Sequence, residues 1–132
     1  VIVADAGVLV TALLDDGPDG ATARRRLADD PVHAPDVVYP EFLSVVRRLV
    51  RSGQSTPERA AIAVGLLHQF PLNAARHLPL LPRAWELRGN VTPYDAMYVA
   101  LAESLGCVLL TADACLSRAP GAHCPFEVIS SG

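Results

Sequence analysis

No lysine occurs among the 132 residues; all 11 basic side chains are arginine. Any mechanism that needs a catalytic lysine is thereby excluded. Cysteine is scarce, and Cys107, Cys115 and Cys124 cannot all pair within one chain. No C-x-x-C is present, and His33, His68, His77 and His123 are scattered, so no four-ligand zinc pattern is spelled out, the adjacent His123–Cys124 included. The cysteines read as bystanders, and a cytoplasmic compartment is expected. The first apolar stretch has no basic residues ahead of it, is interrupted by Asp5 and ends at Asp15–Asp16. It therefore fits neither a signal peptide nor a membrane span, and no membrane association is expected. The initial Val1 is read as a processed or trimmed start. A net charge of −3 argues against a generally basic, nucleic-acid-coating surface and leaves room for a local basic groove.

What is present suits one folded domain over residues 1–132, since 51% of the residues are hydrophobic. Glycine and proline mark joints at DDGPDG, RSGQSTPE and RAPGAHCP. Between them the patterns predict strands at Val1–Ala4, Val32–Ala34, Val108–Thr111 and Phe126–Ile129, with a short extended piece at Phe70–Leu72. Helices are predicted at Val8–Leu14, Ala21–Ala28, Val37–Arg51, Pro57–His68, Pro82–Arg88 and Pro93–Leu105, with a short one at Ala114–Ala119. Strands alternating with helices imply an α/β fold, in which a parallel sheet is covered on both faces.

Four carboxylates sit awkwardly in this pattern. Asp5 follows the apolar run VIVA, and Asp113 lies two residues past VLLT, so both fall beyond strand carboxyl ends, where open α/β sheets form their ligand crevice. In VVYPEFLSVVRRLV the residues Val38, Phe42, Val45, Val46 and Leu49 form an apolar stripe, and Glu41 lies on or beside it. Pro40 confines Glu41 to the helix N-terminus, where the dipole alone would favour an acid. Thr92-Pro93-Tyr94-Asp95 has the form of a helix cap, with an apolar helix behind it. Each acid alone could be a cap, Asp5 and Asp113 included. The other acids sit in ordinary contexts: Asp15, Asp16, Asp19, Asp29 and Asp30 in loops, Asp36 capping a helix, and Glu58, Glu86, Glu103 and Glu127 facing solvent.

Taken together, the four acids would meet at one edge of the sheet and repel, by about 4 kcal/mol for two charges 4 Å apart at an effective dielectric near 20. A cation offsets such repulsion, and oxygen donors without histidine or cysteine favour Mg²⁺ or Mn²⁺. An ion so held can activate water and stabilise a phosphoryl transition state, which points to phosphodiester hydrolysis. Competing α/β families fail on particular residues. A haloacid-dehalogenase-like phosphatase needs D-x-D after its first strand, where Gly7 stands, and a response-regulator receiver needs a lysine. No phosphate-binding glycine loop is present.

VIVADAGVLVTALL, YPEFLSVVRRLV, TPYDAMYVALAESLG and VLLTADACL resemble, in order and over essentially the whole chain, the motifs of PIN-domain ribonucleases. More narrowly they resemble the VapC toxins of bacterial VapBC toxin–antitoxin modules. The resemblance implies a three-layer fold with a central, mainly parallel twisted sheet of about five short strands. It places the family's acidic quartet on Asp5, Glu41, Asp95 and Asp113, with Mg²⁺ or Mn²⁺ as cofactor. Asp5, Asp95 and Asp113 would be metal ligands, and Glu41 would bind metal through water or position the nucleophile. Thr111 and Thr92 would support the acidic site, and Arg88 is the candidate RNA contact. Some relatives carry a further acid beyond the fourth, which Ala114, Cys115 and Leu116 do not supply, so a second metal position is in doubt. Implied partners are a VapB-like antitoxin that blocks the pocket, an RNA substrate, and a second copy in a homodimer or a toxin–antitoxin hetero-oligomer. No direct DNA binding is expected. A solvated helix face is the plainer role for Arg24, Arg25 and Arg26, and a core or interface position for Tyr94 and Tyr98. Two alternatives stay open: a PIN fold that binds RNA or a partner without cutting, and a DNA-acting nuclease of the same fold.

Overall fold

The computed structural model describes residues 1–129. Five short strands, β1 (Ile2–Ala4), β2 (Val32–Pro35), β3 (Leu72–Ala75), β4 (Val108–Thr111) and β5 (Phe126–Val128), form one sheet in the order β3-β2-β1-β4-β5. All four strand pairs are parallel. Helices α1 (Ala6–Leu14), α2 (Pro18–Ala28), α3 (Val38–Arg51), α4 (Pro57–Gln69), α5 (Leu81–Glu86) and α6 (Pro93–Leu105) connect and flank the strands. Ile2, Val3 and Ala4 of β1 are all buried, as expected of a central parallel strand covered on both faces.

The chain builds outward from β1 to β2 and β3, then returns to the other side of β1 with β4 and β5. This reversal makes β1/β4 the topological switch point, where two adjacent strands send their following loops apart and open a crevice. The β1–β4 register, Ile2 on Val108 through Ala4 on Leu110, brings Asp5 level with the end of β4. The Asp5 N–H donates to the Leu110 carbonyl at 3.0 Å, fixing the first residue past the strand.

Helix α3 buries Val38, Phe42 and Val46, spaced four apart on its core face. Val45 and Leu49 pack beside them. Asp36 does not cap α3 as expected: the cap position is Val37, whose N–H is instead satisfied by the imidazole Nε2 of His77 at 2.9 Å. Helix α6 is capped by Thr92, begins at Pro93 and ends on Gly106. Gly106 adopts φ 63°, a left-handed conformation in which a side chain would be strained.

Two further expectations are corrected. The extended piece predicted at Phe70–Leu72 lies later, in β3 at Leu72–Ala75, because Phe70 still serves as the C-cap of α4. The helix predicted at Ala114–Ala119 is only a 3-10 turn over Leu116–Arg118. The last predicted strand closes at Val128. No helix among the described residues is long and apolar enough to cross a membrane.

Candidate active site

The four sequence-selected acids come from four elements. Asp5 ends β1 and caps α1, Glu41 lies in the first turn of α3, Asp95 in the first turn of α6, and Asp113 just beyond β4. Asp5, Glu41 and Asp95 are partly buried and Asp113 is exposed. The capping roles are real: Asp5 Oδ1 accepts the Val8 N–H at 2.9 Å, and Thr92 Oγ1 accepts the Asp95 N–H at 3.2 Å. They do not exhaust what these side chains do.

Thr111 couples two of the acids. It is fully buried at the end of β4, and its hydroxyl donates to Asp5 Oδ2 at 2.5 Å while accepting the Asp113 N–H at 3.0 Å. Asp5 Oδ2 also faces the Ala112 N–H at 3.4 Å. Asp113 Oδ1 accepts the Cys115 N–H at 2.8 Å, tightening the loop after β4.

Glu41 is held in a different way. The Tyr98 hydroxyl donates to Glu41 Oε1 at 2.9 Å, across a sequence gap of 57 residues. One buried phenol therefore ties α6 to α3. Tyr98 was expected only to fill core or interface; its position one helical turn after Asp95, on the same face of α6, is the signal that would have linked it to the site.

The electrostatics are those of acids crowded together. Burial pushes the Asp5 carboxyl up, against the lowering effect of its bonds from Thr111, Val8 and Ala112, and the charge of Asp95 adds to the rise. Burial also raises Glu41, with further increments from Asp95 and Asp5. Asp95 is raised by burial and then by Asp113. The charges acting on these three groups all belong to other members of the quartet. Tyr98 is raised by burial and by Glu41, so it stays a protonated donor.

An oxygen-only donor set, with carboxyls raised by burial and by one another and in no ion pair among the described residues, suits a hard divalent ion such as Mg²⁺ or Mn²⁺. Among the described residues, no three His, Cys, Asp or Glu side chains are placed closely enough to close around one ion directly. Much of the lone-pair capacity is already used on the scaffold, at Val8, Thr111, Tyr98 and Cys115. The remaining lone pairs suit a hydrated ion, and Mg²⁺ characteristically keeps several waters.

Asp95 and Asp113 line a groove of about 640 Å³ together with Arg88, Asn90, Leu116 and Arg118. Arg88 lies over the Trp85 ring, 4.5 Å from its centroid. A larger cavity of about 750 Å³, lined by Leu13, Leu27 and Phe70 among others, carries none of the four acids, and the chemistry rather than the volume decides between them. The Arg24–Arg26 cluster is tied into the scaffold: Arg24 donates to the Ala12 and Asp15 carbonyls, Arg25 to Thr22, and Arg26 to Asp30 and Glu127. Gly7 was noted only for lacking a carboxylate. A Cβ there would stand 2.9 Å from the Ala112 Cβ and 3.5 Å from Asp5 Oδ1, so glycine is what lets α1 meet the end of β4.

The PIN domain family model matches residues 2–122. Ribonuclease VapC9 of Mycobacterium tuberculosis is 38% identical over 128 residues, 97% of this chain and 98% of the relative. Ribonuclease VapC1 of the same organism is also 38% identical, over 96% of each chain. Among solved structures, the M. tuberculosis sarcin–ricin-loop-cleaving toxin VapC20 matches with a TM-score of 0.66 at 19% identity, covering 89% of this chain and 94% of that one. VapBC2 of Rickettsia felis, bound to a promoter DNA fragment, matches with a TM-score of 0.69 at 14% identity, covering 96% and 97%. The chain belongs to the PIN-domain family, among the VapC ribonucleases.

Proposed function

We propose that residues 1–132 act as one PIN domain, the toxin of a VapBC-type module, and that it is an Mg²⁺-dependent endoribonuclease (Mn²⁺ serving in its place) that hydrolyses RNA phosphodiester bonds with water. The observation that carries this is the delivery of four acids to the β1/β4 switch point, where burial and then neighbouring acids raise the carboxyls of Asp5, Glu41 and Asp95, and none of the four forms an ion pair among the described residues. Asp5, Asp95 and Asp113 would hold the ion, directly or through its water. When bound, the ion supplies an activated water and offsets charge developing on the phosphoryl oxygens.

The chain's own residues supply position. Thr111 fixes Asp5 and the Asp113 backbone in one frame, so two ligands from separate strands move as a unit. Thr92 fixes the start of α6, and with it Asp95. Tyr98 occupies Glu41 Oε1 and leaves Oε2 to orient the attacking water. Arg88, on the groove shared with Asp95 and Asp113, meets the RNA backbone.

The partner is a VapB-like antitoxin, a reading that solved VapBC assemblies of related fold support, and covering the acidic groove is the way it would block the site. The exposed apolar side chains Tyr39, Leu43 and Val64 suit a face against the antitoxin or a second toxin copy. The expectation of no direct DNA binding gains no support, since two of these assemblies are bound to DNA.

The test is cleavage of matched RNA and DNA substrates by the wild type, Asp5→Asn and Asp95→Asn, with Mg²⁺ and with EDTA, alongside growth inhibition. The expected result is EDTA-sensitive RNA cleavage and toxicity, both lost in folded variants. Full activity in either variant, or cleavage that survives EDTA, refutes the assignment.

A further inference from the structure

The groove that carries Asp95 and Asp113 has a second set of residues for which the quartet gives no use. Arg88 and Arg118 reach it from separate elements, the segment after α5 and the 3-10 turn after β4. Both are exposed, and neither forms an ion pair with a carboxylate among the described residues, although two carboxylates line the same groove. Arg88 donates to the Trp85 carbonyl at 3.0 Å, and the nearest polar partner of Arg118 is the Cys115 sulfur at 3.7 Å. Trp85 is the chain's one tryptophan and is 68% exposed, with its ring under the Arg88 guanidinium. The indole adjoins the groove through Arg88, which lines it, and an indole left this open buries little area in the fold.

We propose that Trp85, Arg88 and Arg118 form a single-stranded RNA rail: a nucleobase stacks on the Trp85 indole, while Arg88 and Arg118 hold the phosphates flanking the scissile bond. The chemistry of each part fits. Base–aromatic stacking tolerates any sequence because every base has a π-face, and planar guanidiniums bind phosphate through paired N–H donors. Arg88 stacked over the ring adds a cation–π contact and is held in place for a phosphate. A duplex hides its base faces and cannot use the indole, so the rail selects unpaired segments. The proposal rests on the ribonuclease assignment and adds to it the conformation of RNA that is accepted and the residues that accept it.

The lone tryptophan makes the test direct. An unlabelled single-stranded oligoribonucleotide of about 12 nucleotides is titrated into the Asp95→Asn protein while intrinsic fluorescence is followed, and binding is measured in parallel by anisotropy of a fluorescein-labelled copy. Stacking predicts saturable quenching, absent with a blunt RNA duplex. In the same background, Trp85→Ala weakens binding about five-fold or more, and Arg118→Ala lowers the salt dependence by about 0.7 in the logarithmic slope. Arg25→Ala, which removes one charge from the separate arginine cluster, leaves both unchanged. No quenching, or wild-type affinity in both Trp85→Ala and Arg118→Ala, overturns the rail. If wild type still cleaves the oligoribonucleotide, the rail alone has failed; if it neither cleaves nor binds, the ribonuclease assignment falls as well.

Discussion

Replacing Tyr98 with phenylalanine removes one oxygen and leaves the buried ring in place, so the effect isolates the hydroxyl's bond to Glu41. Its bond to Glu41 Oε1 has a charged acceptor, a class worth about 1.5–3 kcal/mol; Glu41 is only partly buried, so water recovers some of this. The expected loss is about 1–2 kcal/mol, or about 3–6 °C in Tm at some three degrees per kcal/mol for a chain of this size. Calorimetry reads that number. Activity, measured well below the lowered Tm, separates a structural role from a positioning one: Glu41 freed from its anchor lowers kcat by about 100-fold with KM little changed, as expected when a positioned group is lost. Wild-type kcat in Tyr98→Phe, or a loss seen entirely in KM, refutes the coupling of Tyr98 to the chemistry.

Three other perturbations have defined outcomes. Asp5, Glu41 and Asp95 have raised pKa values, so the folded state binds their protons more tightly; in EDTA this contribution is most favourable below the unfolded values near ~4 and is lost as pH rises through the folded ones. Urea midpoints across that window should fall less in Asp5→Asn than in wild type, and Mg²⁺ should restore the wild type only; parallel curves contradict this. Gly7→Ala forces its new methyl group against Ala112, 2.9 Å away, and should cost about 1–3 kcal/mol while spreading Asp5 from β4, seen as a drop in both Tm and cleavage. Glu103 is held below its usual range first by Arg83, which binds both its oxygens, and by the His123 N–H. Glu103→Gln should therefore cost about 1–3 kcal/mol at neutral pH, with the deficit vanishing as acid protonates the wild-type side chain through its lowered pKa.

Much of the fold was legible because periodicity and caps are local. The Thr92-Pro93 start and Gly106 end of α6 came from adjacent residues, and β4 from one apolar run. β3 was misplaced because an edge strand reading Leu-Asn-Ala-Ala, with its middle residues exposed, has neither apolar alternation nor β-branched content. Glu103 was assigned to solvent because nothing nearby in sequence announces Arg83, 20 residues earlier, as its partner; its side chain is only 14% exposed. In the site, the four acids were singled out by their awkward placement, and Thr111 only through the family resemblance. Tyr98 to Glu41, and Gly7 to Ala112, are contacts between distant segments, and only the folded register of β1, β4 and α6 brings them together.

The caps give the strongest reason to regard the charges as functional. Asp5 caps α1 through one oxygen, a task asparagine or serine performs as well, and Thr92 already caps α6 without help from the Asp95 carboxylate. Neutral residues at these positions would keep the helices and remove both the buried charges and the repulsion that adds to the rise of Asp5, Glu41 and Asp95. The scaffold instead invests further groups in holding the acids: Thr111 has its hydroxyl buried between Asp5 and Asp113, and Tyr98 has a buried phenol aimed at Glu41. Supports of that kind stabilise one arrangement of the acids in particular. On the proposed reading, carboxylates kept together at a switch point are preorganised for a cation, and the repulsion that an ion relieves on binding adds to its affinity.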